Sequence, residues 1–265
     1  MYPLTFSIKR KTRRLFLLGI VTLSMLACSQ TETEEVSIQK PQIKREIKAE
    51  EPRLKTPKQG KVQSFFDEYA KNNLEKRVIL KTRLGDIELE LFEETPIHRA
   101  NFLFNVKNDL YSHTIFYRVV PDFMIQGGNS DHDQTLLKRK GVGAYYIPSE
   151  RDLGGIHQRG AVAMAMTYDN NPEEKSAQYS YYIVIGTKFS DEGLDAVEEE
   201  YQFNIPEASR KIYKSIGGSP HLDGKHTVFG MVSKGMDIVE AIANEKRDSG
   251  DWPINDVIIE CEIVE

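Results

Sequence analysis

Only two cysteines, Cys28 and Cys261, occur in 265 residues. They are too few and too far apart for a zinc pattern or a disulfide framework. The six histidines, His98, His113, His132, His157, His221 and His226, include no HExxH pair. No metal site and no cofactor are therefore expected. A GxSxG sequence is also missing, and Cys261 lies in the apolar run VIIECEIV, which suits a strand residue better than a nucleophile. The net charge of −5 gives no basic bias toward nucleic acid. Hydrophobic residues make up 40% and charged residues 28%, enough apolar material for a real core. The length allows one or two domains.

The N-terminus reads as an address. Lys9, Arg10, Lys11, Arg13 and Arg14 precede Leu15–Ala27, an apolar run of 13 residues. A helix needs roughly 20 residues to cross a bilayer core of about 30 Å, so this run is too short to span. A basic region followed by a short apolar one fits a secretory signal peptide over 1–27. Met25-Leu26-Ala27-Cys28 resembles a bacterial lipobox. That resemblance implies cleavage before Cys28, its lipidation, and an exported protein anchored to a bacterial envelope membrane, facing the periplasm or the cell surface. Residues 28–76 read as a tether, rich in Glu, Lys, Gln and Pro, that cannot bury enough apolar surface to fold. Phe65, Phe66 and Tyr69 in its last part suggest a short docking helix without a binding role.

The pattern changes at Arg77, and a domain is expected over 77–265. Val78–Leu84 reads as a strand, Gly85-Asp86 as a turn, and Ile87–Phe92 alternates as a second strand. Thr95-Pro96 opens a helix to about Asn108, with Ala100, Phe102, Leu103 and Val106 facing inward. Strands follow at Ile115–Val120 and Phe123–Gly127, then a long turn-rich segment to about Ile156. Further strands are expected at Ala161–Ala165, Tyr181–Ile185, Thr227–Val232 and Val257–Val264. Eight short strands with a few helices predict a mainly β fold, a closed antiparallel barrel capped by helices. Asp191–Tyr201 and Pro206–Ile216 read as two inserted, charged, solvated surface helices.

Within Phe116–Gly128, FYRVVPDFMIQGG, Arg118 stands among apolar residues, and Phe123, Met124 and Gln126 follow before a Gly127-Gly128 turn. Strand alternation then places a guanidinium beside a Phe, a Met and an amide, the makings of an apolar pocket with one strong donor fork. This order resembles the central motif of the cyclophilins, the prolyl cis/trans isomerases. LGDIELELFEETPIHRANF (Leu84–Phe102) resembles that family's opening hairpin and first helix, GAVAMA (Gly160–Ala165) its backbone-binding strand, and HLDGKHTVFG (His221–Gly230) the segment with its pocket histidine.

The resemblance implies peptidyl-prolyl isomerase activity on proline-containing polypeptides, assisting the folding of exported proteins. It places Arg118, Gln126 and His226 in the catalytic set. It places Phe123, Met124, Ala165, Met166, Tyr182 and Leu222 in substrate binding, Ala165 and Met166 through the main chain, with Gln126 orienting the guanidinium. Two positions depart: Ser180 replaces a glutamine, and His221 stands where many members have tryptophan. They motivate an alternative, a proline-peptide binding module or chaperone on the same scaffold with little turnover.

Overall fold

The computed structural model of the chain describes residues 54–264. The leader 1–27, Cys28 and the tether up to residue 53 lie outside the described residues. Strand β1 (Arg77–Thr82) turns tightly into β2 (Gly85–Leu91), where the Thr82 hydroxyl donates to the Gly85 carbonyl and accepts from the Leu84 amide. Six more strands follow: β3 (Thr114–Val120), β4 (Met124–Asn129), β5 (Ala161–Met164), β6 (Tyr181–Val184), β7 (Val228–Lys234) and β8 (Ile258–Val264). Every pairing is antiparallel, and the order β1-β2-β7-β5-β6-β4-β3-β8 closes into a barrel. Closure removes the unpaired strand edges that invite aggregation. One face of each strand fills the interior, with Leu80, Ile87, Leu89, Phe116, Ile125, Val162, Ile183 and Phe229 buried there.

Gly127 and Gly128, expected as a turn, lie inside β4. Close approach explains them. A Cβ on Gly128, at φ 97°, would sit 2.1 Å from the Tyr179 carbonyl oxygen, and one on Gly127 would press on Phe116 and Ile259 at 3.0 Å. The real turn is Pro121–Phe123, with Asp122 at φ 60°, so Phe123 precedes β4 rather than starting it.

Helix α1 (Val62–Lys71) sits where the tether was expected to continue to residue 76. Its face carries Val62, Phe66 and Ala70 into the same core as the barrel, and Phe65, Phe66 and Tyr69 cluster about Phe104 at 5.5–5.9 Å. Helix α2 (Pro96–Lys107), lying under α1, is consequently buried on all sides from Ile97 to Val106, not only along the four positions expected to face inward. Most of its buried polar groups find partners, as burial demands, although Arg99 Nε and Asn105 Oδ1 have none. The Glu150 carboxylate accepts from the Ile97 and His98 amides and from His98 Nδ1, while His98 Nε2 meets the Ser176 hydroxyl at 2.9 Å. An acidic group at a helix N-terminus is favoured by the exposed amides and the helix dipole.

The segment read as turns holds helix α3 (Asp133–Val142), whose polar composition hides its role. It is held by Arg139, which donates to the Leu110 and Gly128 carbonyls and stacks over Tyr179. The two inserted helices are present as α4 (Asp191–Tyr201) and α5 (Glu207–Ser215). They are more than solvated: Leu194, Ile205 and Tyr213 form a small buried core, and Arg210 bridges Asp195 and Glu198. Helix α6 (Met236–Ala243) completes the set. No helix among the described residues is long and apolar enough to cross a membrane.

Candidate active site

The outward face of β3, β4, β6 and β5 carries a continuous row. Arg118 on β3 is opposite Gln126 on β4, Gln126 is opposite Tyr182 on β6, and Tyr182 is opposite Ala163 on β5. Residues directly opposite one another share a sheet face, so register alone sets the guanidinium, the amide and the aromatic ring side by side. A register shift between Phe116 and Arg118 adjusts β3 at this point; bulges often re-aim a side chain near a site. Around the row lies a second apolar cluster, separate from the barrel interior: Met124, Ala161, Ala163, Ala165, Tyr182, Val184 and Val228, edged by Phe123 and Leu222. His226 joins it edge-on to Tyr182, ring centroids 5.5 Å apart. Eight of the nine expected site residues thus converge on one patch; Met166 continues the chain from Ala165.

Several details differ from expectation. Gln126 does not hold the guanidinium; its amide donates to Ser180 Oγ at 3.0 Å, and Ser180 also meets the Tyr117 hydroxyl at 2.6 Å. Arg118 Nε is instead held by Asp251 at 3.4 Å, and Asp251 reaches Arg247 with its other oxygen. Both members of the Arg118–Asp251 pair are about one-third exposed (33% and 35%), so it positions the fork with little stabilisation. The Ala165 main chain is already engaged, its N–H donating to Ser180 and its C=O accepting from Ala177. Half-buried Met166 makes no main-chain hydrogen bond among the described residues, so it is the better candidate for meeting a substrate backbone.

His226 Nδ1 lies 3.3 Å from the Met164 carbonyl, which only accepts, so this nitrogen carries the proton. Nε2 then accepts from the Tyr168 hydroxyl at 2.8 Å. Burial, aided by the charge of His157, lowers the His226 pKa to about 4. The ring is neutral at neutral pH and serves as a wall of the patch.

Beneath the patch runs a polar chain that no sequence spacing announced. The Tyr182 hydroxyl lies 3.0 Å from His157 Nε2. His157 donates from both its amide and Nδ1 to Asp223 Oδ1, and Tyr213 of α5 donates to Asp223 Oδ2 at 2.6 Å. Asp223 directly follows Leu222 in the HLDG segment, which was the one available signal. His157 and Tyr213 are brought in only by the fold. No group of three or more His, Cys, Asp or Glu side chains suited to a metal occurs among the described residues.

A family model described as cyclophilin type peptidyl-prolyl cis-trans isomerase/CLD matches residues 77–263. A peptidyl-prolyl cis-trans isomerase of Acinetobacter baylyi is 38% identical over 168 residues, covering 63% of this chain and 71% of its own. A Staphylococcus haemolyticus protein assigned as a peptidyl-prolyl cis-trans isomerase is 34% identical over 190 residues, 71% of this chain and 91% of its own. The crystal structure of a Cryptosporidium parvum cyclophilin type isomerase shares the fold at a TM-score of 0.50 and 22% identity, covering 72% of this chain and 98% of that one. The chain therefore belongs to the cyclophilin-type peptidyl-prolyl cis-trans isomerases, and its activity is prolyl isomerisation.

Proposed function

We propose that Arg118 stabilises the twisted prolyl amide while the neighbouring apolar cluster holds the proline ring. Amide resonance sets a barrier of about 18–20 kcal/mol to rotation. No bond is made or broken, so catalysis requires only that the twisted state be bound more tightly than either planar isomer. As the amide twists, its nitrogen regains lone-pair density and becomes an acceptor. A guanidinium stays protonated and offers a rigid fork of donors. The observation that carries this reading is the shared register of Arg118, Gln126 and Tyr182, which puts the fork at the edge of the apolar cluster. Phe123, Met124, Tyr182 and Leu222 supply contact to the ring, His226 the rim, and the Met166 main chain a partner for the substrate backbone.

The test is two-dimensional exchange spectroscopy on a short X–Pro peptide with the full-length protein and Arg118→Ala. Losing one donor aimed at the developing charge costs about 10²- to 10³-fold elsewhere, and a fall of that order in kcat/KM is expected. Unchanged exchange in Arg118→Ala would remove the arginine from the mechanism.

We further infer that the protein acts on exported polypeptides from a lipid anchor on Cys28. The supports are the basic stretch Lys9–Arg14, the 13-residue apolar run and the cysteine at its end. Incorporation of labelled palmitate in a bacterial host, abolished by Cys28→Ser, is the expected result; equal labelling of both proteins would sink the anchor.

A further inference from the structure

The inserted helices touch the proline site in two ways. One is the polar chain from Tyr213 through Asp223 and His157 to the Tyr182 hydroxyl, which ties α5 to the floor of the apolar cluster. The stem of the insertion is fixed at the same level, where Gly218 bridges both Thr187 and Gln158. A Cβ on Gly218 would lie 2.3 Å from the His157 carbonyl oxygen, so the backbones meet with no space between them. The other is a line of rings. Phe123, at the edge of the cluster, stacks on His221 with centroids 5.6 Å apart. His221 in turn meets Tyr201, the last residue of α4, at 5.4 Å. Tyr201 is 38% exposed, and His221 is half-buried between the two rings.

We propose that α4 carries the outer part of the substrate groove, and that Phe123, His221 and Tyr201 form a shelf for an aromatic side chain close to the proline in the polypeptide substrate. This rests on the active-site reading above. The line starts at a residue of the proline-ring cluster and ends in solvent, so it continues the site outward. Burial, with the charges of His157 and Lys225, holds the His221 pKa below its usual value, which favours an uncharged ring in the middle of the shelf. The centroid spacings of 5.6 and 5.4 Å each correspond to a little under two residues of extended chain, at roughly 3.3 Å per residue, so the shelf runs beside the first few residues flanking the proline. Ring faces and edges prefer another ring in offset or edge-on contact. Lys225, whose Nζ sits 5.0 Å from the Tyr201 ring centroid, steadies the outer end.

The experiment uses the full-length protein and a set of peptides with one X–Pro bond. One phenylalanine is placed in turn at each of three positions on either side of the proline, in an otherwise alanine sequence. Exchange spectroscopy reads kcat/KM and isothermal titration calorimetry reads Kd, for the parent, Tyr201→Ala and Tyr201→Phe. One aromatic contact is expected to improve kcat/KM and Kd by about three- to tenfold at one phenylalanine position. Tyr201→Ala should reduce that gain below about twofold, and Tyr201→Phe should restore it. The proposal fails if no phenylalanine position matters in the parent, or if the gain survives Tyr201→Ala. Absence of exchange with every peptide would instead refute the catalytic reading, and the Kd ratios would still judge the shelf.

Discussion

The hydroxyl of Tyr182 lies 3.0 Å from Nε2 of His157, so a buried ring on the floor of the candidate site carries a polar contact that a phenylalanine there would lack. Tyr182 and His157 are 5% and 1% exposed. Burial pushes the Tyr182 phenol well above its usual pKa, and the group stays protonated. Because His157 is anchored on Asp223, and Asp223 also receives Tyr213, the contact links pocket and insertion.

Tyr182→Phe is expected to cost about 1 kcal/mol, the net worth of one hydrogen bond with its partner left behind. Asp223→Ala strands both His157 and Tyr213, so a larger loss of about 2–4 kcal/mol is expected. Urea unfolding of the two variants checks the order. An Asp223→Ala loss no larger than that of Tyr182→Phe would mean that the chain is not cooperative.

Glu150 caps α2, accepting from the Ile97 and His98 amides and from His98 Nδ1, from a position 4% exposed. A buried donor left without its acceptor costs about 1–3 kcal/mol, and Glu150 serves three such donors, which sums to about 3–5 kcal/mol at the low end of that range. Glu150→Ala should therefore destabilise the domain by about that amount, read as a lower urea midpoint with an unchanged slope. A loss under about 1 kcal/mol would place the cap outside the folding energetics.

Helix α1 is a second case where stability tells function from tether. Phe66 is fully buried against Phe104 and Tyr145. Truncating a buried phenylalanine leaves a cavity and costs about 3–5 kcal/mol, so Phe66→Ala should lower the thermal midpoint clearly. A shift no larger than that of an exposed substitution would return residues 62–71 to the status of a tether.

Acid should weaken the fold through His226. Its pKa is lowered from 6.5 in the reference state to about 4 in the folded protein. The unfolded chain then binds the extra proton first, so stability is fully present above about pH 6.5 and is lost as pH falls toward 4. The shift corresponds to roughly 3 kcal/mol. Denaturant titrations of the parent and His226→Asn should show the parent's advantage shrinking across that window. A difference independent of pH would assign the loss to other groups.

Strand positions were legible because alternation marks a sheet with one face buried, as in IELELF, and a short apolar run marks a strand buried on both, as in YYIVI; all eight strands appear within a few residues of their expected ends. Helix α3 was not legible, since Arg139 works through backbone carbonyls of Leu110 and Gly128, and neither composition nor period signals such a partner. Gly127-Gly128 misled for a related reason: glycine marks a turn or a close backbone approach alike, and only Tyr179 lying against the strand distinguishes them.

The site divides the same way. Arg118, Phe123, Met124 and Gln126 sit within nine residues, so one hairpin brings them together, Arg118 opposite Gln126, Met124 on the same face and Phe123 in the turn, and the sequence by itself carried the family and the activity. Tertiary structure decided what each group does. Gln126 turns to Ser180 because the segment leading into β6 presents a hydroxyl, and Arg118 turns to Asp251 because a distant loop brings a carboxylate within 3.4 Å. His157, Asp223 and Tyr213 meet Tyr182 only when the barrel closes and the insertion docks. Hydrogen bonds act over about 3 Å, whereas sequence patterns report which face a residue occupies. Partner choice among residues far apart in the chain is therefore settled by the fold.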